Sequence, residues 1–509
     1  MATRQQTGLA AVAGLVAGIV TLGVGALVAL VTGATSDPIV AVGSAFVDAT
    51  PAWLKSFATS TFGTSDKLVL GLGEVVVLLA LAALAGILAA HRWAWGAILV
   101  VLLGAGAAFA ATARPDAGAL AGLASVAGTV AGLYTLRLLL RRIPETTSGS
   151  ARQRSADRRG FLQASLVAGA LGIVAVLIGR TVGAGARGAQ TARADLVIPT
   201  PATTVAPVPA GVDIGVSGVG PWQTPAADFY RIDTALVVPH VDPSGWSLRV
   251  HGMVEQEITL TWAELLASPL VEAWVTLACV SNPVGGDLVG NQKWLGLPIK
   301  GLLERARPTG DADMVLSTSV DGFTAGTPLA ALTDGRDALL AIAMDGRPLP
   351  FEHGFPVRMV VPGLSGYVSA TKWVTDLEVT RFADASAYWT NRGWSAEGPV
   401  KTQSRIEVPR PGESVSAGKV VVAGTAWAQH RGITAVQVRV DDGSWNDATL
   451  ADDGSVDSWR QWSWSWDATP GDHQLYVRAS DPQGPQTGAV QGEVPDGATG
   501  YDSVRVTIS

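Results

Sequence analysis

The chain has 509 residues, of which 48% are hydrophobic, and it carries a net charge of −7 at pH 7 and a single cysteine, Cys279. One cysteine excludes an internal disulfide, and the charge gives no support to nucleic-acid binding. A chain of this length has room for about three domains.

The first third of the chain has the composition of a membrane domain. Long apolar runs, each near the roughly 20 residues that cross a bilayer core, cover residues 8–32, 67–90, 93–113, 116–139 and 161–183. Core helices of soluble proteins are rarely so apolar on every side. We therefore predict about five transmembrane helices over residues 1–183.

The arginines predict the orientation of these helices, because cytoplasmic loops hold the excess of Arg and Lys. The loop between the fourth and fifth runs contains Arg137, Arg141, Arg142, Arg152, Arg154, Arg158 and Arg159. We expect this loop in the cytoplasm. Counting crossings then places the N-terminus inside and everything after the fifth helix outside, on the extracytoplasmic face of the cell membrane.

The start of the fifth helix resembles a twin-arginine export signal at an internal position. In residues 155–163, the pair Arg158-Arg159 is followed by Phe161-Leu162. An ordinary positively charged flank is the alternative explanation. The twin-arginine route carries folded domains, so the resemblance implies that the exported part acquires its cofactor in the cytoplasm.

Glu74 lies inside the second apolar run, where a carboxyl group is costly in lipid. A functional role and a protonated hydrogen bond to a neighbouring helix are both open.

The region after the fifth run changes in composition. Residues 184–222 are rich in Ala, Pro, Thr, Val and Gly, which predicts an extended linker with polyproline character. From about residue 223, short alternating strands such as 246–252 are interspersed with short helices. The segment from Thr261 to Ser268 begins with a capping-box pattern that includes Glu264. We predict a mixed α+β domain over residues 223–400.

Four motifs occur in order within this region, and together they resemble the sulfite oxidase family of molybdopterin enzymes over about residues 225–505. They are Phe229-Tyr230-Arg231-Ile232-Asp233; Cys279 with Asn282 and Trp294-Leu295-Gly296-Leu297-Pro298; Ser319-Val320-Asp321-Gly322-Phe323 before Thr327-Pro328-Leu329; and His353-Gly354-Phe355-Pro356-Val357-Arg358 before Ser369-Ala370-Thr371-Lys372-Trp373. Each motif alone is weak, and the ordered set makes chance unlikely.

The resemblance implies a molybdenum-molybdopterin cofactor and two-electron, oxygen-atom-transfer chemistry on a small substrate. Cys279 would be the thiolate ligand of the metal, a role that suits soft sulfur, and Arg231 and Phe323 would join it as catalytic residues. Because the cofactor carries an anionic phosphate and a hydrogen-bonding ring, it needs nearby cations and donors. The residues expected to bind it are Tyr230, Arg231, Asn282, Asp321, His353, Arg358, Ser369, Thr371 and Lys372.

Two positions depart from the family pattern. Val284 stands where the family has an arginine five residues after the cysteine, and Phe323 stands where it has an active-site tyrosine. Both changes remove a polar group expected around an oxyanion. The resemblance therefore implies the cofactor but makes sulfite doubtful, and it leaves a sulfoxide, another S- or N-oxide or an unknown small molecule open as substrate.

Residues 401–509 show alternating strands separated by Asp-Gly turns, which predicts an immunoglobulin-like sandwich. The region resembles the C-terminal dimerisation domain of the same family, which implies a homodimer as one possibility. The alternating tryptophans of residues 459–466 are expected to fill the sandwich core rather than to contact substrate.

The histidines bear on the route of the electrons. Only His91 lies near the apolar runs, and the chain has no Cys-X-X-Cys-His motif, so we expect no haem and a separate redox partner or a quinone. A degenerate, cofactor-free binding or assembly protein of the same fold is the alternative function.

Overall fold

The structure, a computed structural model, describes residues 4–51, 54, 57, 61, 66–114, 117–143, 151–181 and 184–509. They form two compact units. The first extends to Gln190 and includes Thr234–Val238, and the second comprises Thr191–Asp233 and Pro239–Ser509. Side chains 151–157 lie outside the described residues, and with them the start of the twin-arginine-like segment 155–163.

The first unit consists of helices. They are α1 (Arg4–Thr32), α2 (Pro38–Ala49), α3 (Asp66–His91), α4 (Trp93–Thr112), α5 (Leu123–Leu140) and α6 (Ala151–Thr181). Among the described residues, five helices, all except α2, are long and apolar enough to cross a membrane, which confirms the predicted number of apolar helices.

Helix α1 packs against α3, α5 and α6. A Cβ at Gly14 of α1 would collide with the backbone of Ala82 in α3, so the missing side chain lets the two backbones approach closely. Glu74 of α3 is half-buried, and its carboxylate faces α2, where a Cβ at Gly43 would lie 2.7 Å from Glu74 Oε2. Glu74 therefore lies against a neighbouring helix, and both of its expected roles stay predictions.

The segment predicted to be an extended linker begins instead with helix α7 (Ala184–Ala194). Its sequence is rich in alanine, the residue with the highest helix propensity, and this outweighs the glycines. Near its end, Arg193 donates to the carbonyl oxygen of Leu349 at 2.6 Å. The domain boundaries themselves stay predictions.

The central region is a mixed α+β structure, as predicted. One sheet has the strand order β2-β1-β10-β5-β6 and the other β3-β4-β7-β8, with β9 on β7. The strands are β1 (Ser247–Gly252), β2 (Ile258–Thr261), β3 (Val271–Ala278), β4 (Val289–Pro298), β5 (Met314–Ser319), β6 (Thr324–Pro328), β7 (Leu339–Met344), β8 (Arg347–Pro348), β9 (Arg358–Val360) and β10 (Val374–Thr380).

Short helices cover these sheets: α8 (Trp262–Ala267), α9 (Ile299–Ala306), α10 (Leu329–Thr333) and α11 (Gly366–Ser369). The predicted capping box is present, because the Thr261 side chain accepts from the Glu264 backbone and Glu264 accepts from the Thr261 backbone. Helix α9 buries Ile299, Leu302 and Leu303 in the core between the sheets. This core holds the loops of the candidate site in place.

The C-terminal region contains two sheets of mostly antiparallel strands, in the orders β11-β13-β17-β16 and β12-β20-β18-β14-β15. The strands are β11 (Gln403–Val408), β12 (Ser414–Val415), β13 (Gly418–Trp427), β14 (Ala435–Val440), β15 (Asn446–Asp447), β16 (Thr449–Leu450), β17 (Arg460–Ala468), β18 (Gly471–Asp481), β19 (Gly484–Pro485, on β18) and β20 (Asp502–Ile508). Trp462 and Trp466 of β17 lie in the shared core. The predicted immunoglobulin-like sandwich is thus confirmed, and so is the core position of Trp462 and Trp466. For Trp459 the prediction is wrong, because this side chain packs in a separate cluster with Trp222 and Trp274.

Candidate active site

Cys279 directly follows β3 and opens the loop that leads into β4. Its backbone N–H donates to the Leu288 carbonyl at 2.9 Å, and its own carbonyl accepts from Asn282 N–H at 3.1 Å. As a whole residue, Cys279 is half-buried. Burial by the surrounding chain raises its pKa, and hydrogen bonds with Ser281 and the charge of Lys372 act in the opposite direction. The hairpin therefore presents one thiol at a fixed position.

Asn282 shapes the loop and offers an unused donor. Its Oδ1 accepts from Leu288 N–H at 2.9 Å, which closes the loop on itself. Its Nδ2 is buried and has no hydrogen-bond partner among the described residues. Because an unsatisfied buried donor is costly, this amide points to a ligand with an acceptor.

His353 occupies the turn before β9. Its side chain is almost fully buried, and Nδ1 has no partner in the described part of the chain. Gly354 has a φ of 107°, a left-handed conformation that glycine adopts without strain. Burial, with the charges of Lys372 and Arg358, lowers the pKa of His353 to about 3. The imidazole is therefore neutral. Because its other nitrogen bonds the backbone of Ala226, Nδ1 is the nitrogen left to accept a hydrogen bond from a ligand.

Three cations surround this histidine, and each lowers its pKa. The guanidinium of Arg358 on β9 lies 5.1 Å from the ring centre of Trp294 and donates to the His353 carbonyl at 3.3 Å. Burial lowers the pKa of Arg358 to about 10 and that of Lys372 to about 8. The cluster thus contains two buried cations, Arg358 and Lys372, and the half-buried Arg231.

One carboxylate joins two of these cations. Asp233 Oδ2 accepts from Arg231 Nε at 2.9 Å and from Lys372 Nζ at 3.0 Å. Lys372 also donates to the Glu352 carbonyl at 2.8 Å. Asp233 ends the first predicted motif, but it is not among the residues expected to bind the cofactor. The signal was its spacing, since residues two apart in an extended segment point to the same side.

Tyr230 lies close enough to both the Cys279 thiol and the Arg358 guanidinium to interact with their charges. Burial raises the pKa of its hydroxyl well above the ordinary range, the charge of Cys279 raises it further, and Arg358 lowers it. The Tyr230 ring stacks on Phe229 with centroids 5.3 Å apart. The structure therefore brings together Tyr230, Arg231, Cys279, His353, Arg358 and Lys372, with Asn282 in the loop after Cys279.

The other predicted residues occupy different surroundings. The Ser369 hydroxyl donates to the Ser365 carbonyl at 2.9 Å, and the Thr371 hydroxyl shares a bond with Ser317 at 2.7 Å. Both side chains are fully buried. These hydroxyls already have protein partners, so their predicted contact with the cofactor stays a prediction.

Asp321 and Phe323 belong to the turn between β5 and β6. Asp321 Oδ1 accepts from Phe323 N–H at 3.2 Å, and the Phe323 ring lies 5.7 Å from that of Tyr388. Asp321 therefore shapes the turn that carries Phe323. Its cofactor contact and the catalytic role of Phe323 stay predictions.

The cluster fits the predicted cofactor. Buried cations with a single shared carboxylate suit an anionic group, and the unused nitrogens of Asn282 and His353 suit a ring with hydrogen-bonding atoms. Cys279, the sole thiol of the chain, suits a soft metal. Within the described ranges, no group of three or more His, Cys, Asp or Glu side chains could hold a metal ion.

Comparisons with known families agree with this fit. The family described as "Oxidoreductase molybdopterin binding domain" matches residues 235–389, and the family described as "Bacterial Ig domain" matches residues 403–477. The chain is 31% identical over 278 residues to the sulfite oxidase of Gallus gallus, a match that covers 46% of this chain and 60% of that protein.

Two further relatives differ in how much of their length is matched. The mitochondrial sulfite oxidase of Homo sapiens is 30% identical over 274 residues, which are 45% of this chain and 49% of that protein. The match thus spans about half the length of the curated sulfite oxidases. The uncharacterized oxidoreductase YuiH of Bacillus subtilis (strain 168) is 30% identical over 180 residues, 35% of this chain and 87% of that protein.

Among solved structures, the sulfane dehydrogenase SoxCD from Paracoccus pantotrophus is similar with a TM-score of 0.47 and 23% identity, over 53% of this chain and 75% of that one. The near-complete match to the Bacillus oxidoreductase, the matched molybdopterin domain and the cluster around Cys279 lead to one conclusion. The chain belongs to the sulfite oxidase family of molybdopterin-dependent oxidoreductases.

Proposed function

We propose that this protein is a membrane-anchored oxidoreductase that carries out oxygen-atom-transfer chemistry on a small substrate at the outer face of the membrane. The observation that carries the proposal is the cluster of the Cys279 thiol, buried cations and two buried nitrogens that have no partner in the described part of the chain. The bound molybdenum cofactor would supply the two-electron redox chemistry.

The residues of the chain would bind and orient that cofactor. Cys279 would ligate the metal, and Arg231, Arg358 and Lys372 would neutralise the anionic group. His353 would stay neutral and hydrogen-bond the ring, because its pKa of about 3 keeps it unprotonated at physiological pH. Tyr230 would hold its proton beside the thiol, since burial raises its pKa.

The substrate is less constrained than the cofactor. Relatives named sulfite oxidase support an oxyanion of sulfur, whereas Val284 and Phe323 place apolar groups where polar ones are expected. A Cβ at Gly500 would lie 3.8 Å from Val284 Cγ2, so this side chain lies beside the sandwich. We propose an S- or N-oxide, or another small molecule, ahead of sulfite.

Two further parts of the proposal concern location and electrons. The arginine-rich loop before the fifth apolar helix supports a cytoplasmic position for that loop and an outer position for Cys279. A separate redox protein or a quinone would exchange the electrons.

A C-terminal alkaline phosphatase fusion tests the location, because alkaline phosphatase is active only outside the cytoplasm. A fusion without phosphatase activity on intact cells would contradict the outer location.

The main test is molybdenum content by elemental mass spectrometry, with pterin fluorescence after oxidation, on the detergent-purified chain. We expect about one metal per chain in the wild type, and loss of turnover in Cys279→Ser with the fold retained. Ser244→Ala, at an exposed turn, is the control. Turnover retained in Cys279→Ser would contradict the ligand role. Absence of metal and pterin, in a host that makes the cofactor, would favour a cofactor-free binding or assembly protein.

A further inference from the structure

The strand that leads to Cys279 is bound along its outer edge by the C-terminal sandwich. Thr276, three residues before Cys279, is only 2% exposed. Its hydroxyl accepts from Trp459 N–H at 2.7 Å and its carbonyl accepts from Gln429 Nε2 at 3.0 Å. Its own N–H donates to the Asp457 carbonyl at 2.9 Å. Strand β3 lies at the edge of its sheet, so the sandwich loops satisfy groups that an edge strand leaves open.

The loop after Cys279 is held by the same sandwich. Arg405 of β11 donates from Nη1 to the Gly286 carbonyl at 3.0 Å. The guanidinium is fixed in turn by an ion pair with Glu407 at 2.9 Å. A Cβ at Gly497 would lie 3.6 Å from Val280 Cγ2. Both flanks of the cysteine therefore contact residues of the sandwich.

Between these contacts lies a buried tryptophan cluster. Trp222 Nε1 donates to the Trp459 carbonyl at 3.2 Å, and Trp459 Nε1 donates to the Trp222 carbonyl at 2.7 Å. Trp274 of β3 and Trp427 of β13 complete the cluster, and all four are buried. The ring centres of Trp222 and Trp274 lie 4.7 Å apart. The indole N–H groups of Trp222 and Trp459 are satisfied by each other's carbonyls, whereas Trp274 Nε1 has no partner among the described residues. The ring contact and the two reciprocal bonds together resist local opening.

We infer that the C-terminal sandwich positions the Cys279 thiol for the site, and that Thr276 and Arg405 are the positioning residues. They act through the backbone of the β3–β4 hairpin, which carries the thiol beside Tyr230. The inference rests on the proposed function for its purpose, while the physical claim concerns the hairpin alone. Loss of the Thr276 hydroxyl leaves the buried Trp459 N–H unsatisfied, and loss of the Arg405 side chain releases the half-buried Gly286 carbonyl. Either change favours opening of the hairpin.

The test uses the full-length chain in detergent, purified from a host without the cofactor, so that the first readout does not depend on metal loading. Cys279 is the only cysteine, and its alkylation by iodoacetamide can therefore be followed by intact mass. Thr276→Val and Arg405→Gln are expected to raise the alkylation rate about tenfold, which corresponds to about 1.4 kcal/mol in the opening equilibrium.

Two control variants separate positioning from general stability. Thr276→Ser keeps the hydroxyl and should react like the wild type. Ser404→Ala loses a different buried hydroxyl bond of the sandwich, to Gln486 at 2.9 Å, and should also leave the rate within about twofold. The inference would be overturned if the alkylation rate of Cys279 and the fall in melting temperature were the same in three variants: Thr276→Val, Arg405→Gln and Ser404→Ala. If Thr276→Val does not fold, Arg405→Gln decides.

A second readout uses the loaded protein. We expect Thr276→Val to retain metal, to lower kcat more than it changes KM, and to shift the visible absorption of the metal-thiolate group, with Thr276→Ser restoring all three. An unchanged absorption and kcat would also count against positioning. The two claims can fail separately. If the wild type contained no molybdenum in a host that makes the cofactor, the proposed function would be refuted. If alkylation still depended on Thr276, the inference would remain intact.

Discussion

A buried carboxyl group next to the Thr276 contact makes the stability of the C-terminal region depend on pH. The Asp457 side chain is 6% exposed and lies 3.3 Å from His430 Nδ1. Burial raises the pKa of Asp457 to about 6, and the charge of Asp337 adds to the rise, while His430 and Arg336 act against it. The folded protein therefore holds a proton on this group in a range where the unfolded chain has lost it.

The sign and the size follow from the two pKa values. The folded state binds more protons between the ordinary pKa of 3.8 and the raised value of about 6. The stabilising contribution is fully present below 3.8 and is lost as the pH rises through 6. The whole loss is about 3 kcal/mol, of which about 1.4 kcal/mol falls between pH 5 and pH 8.

Asp457→Asn removes this titration. The wild type loses about 1.4 kcal/mol of unfolding free energy between pH 5 and pH 8 through this group, and the variant does not. The free energy of unfolding of the variant minus that of the wild type is therefore expected to rise by about 1.4 kcal/mol over this range. Thermal unfolding of the detergent-solubilised chain, followed by tryptophan fluorescence at both pH values, measures the change. Asp453→Asn is the exposed neighbouring control. Parallel pH profiles for Asp457→Asn and the wild type would refute the reasoning.

Three further predictions concern the site and the core. Asp233→Asn removes the carboxylate that Lys372 contacts, so we expect the cofactor-free chain to lose about 3 kcal/mol and the loaded chain less; equal losses in scanning fluorimetry of both forms would contradict this. Trp462→Ala empties a fully buried position and should cost about 3–5 kcal/mol in denaturant unfolding, whereas a loss under about 1 kcal/mol would not fit. Gly354→Ala should lower molybdenum content more than Gly335→Ala, because both have positive φ but only Gly354 is crowded; equal metal contents would refute it.

Much of the local structure could be predicted because its signals are local. The capping box at Thr261 and Glu264 requires only residues three apart, and the structure contains it. The five apolar helices are confirmed for the same reason, since length and composition decide them. The alternating tryptophans of β17 predicted a core, and Trp462 lies in it.

Features that depend on distant parts of the chain could not be predicted. Asp233 pairs with Lys372 across 139 residues, and no local pattern indicates which cation a carboxylate will meet. Thr276 receives its bond from Trp459 across 183 residues. The helix at 184–194 was missed for a different reason, because the composition of the whole segment 184–222 outweighed its alanine-rich start.

The charges of the site explain why cofactor and fold should stabilise each other. Arg358 and Lys372 are both nearly buried, and burial lowers the pKa of each, which shows that their charged forms are held at a cost. Asp233 contacts Lys372 but also Arg231, so one carboxylate serves two cations. A buried cation that is not fully balanced by negative charge is costly. An anionic cofactor would supply the missing charge, and the chain that binds it would therefore be more stable than the chain that does not.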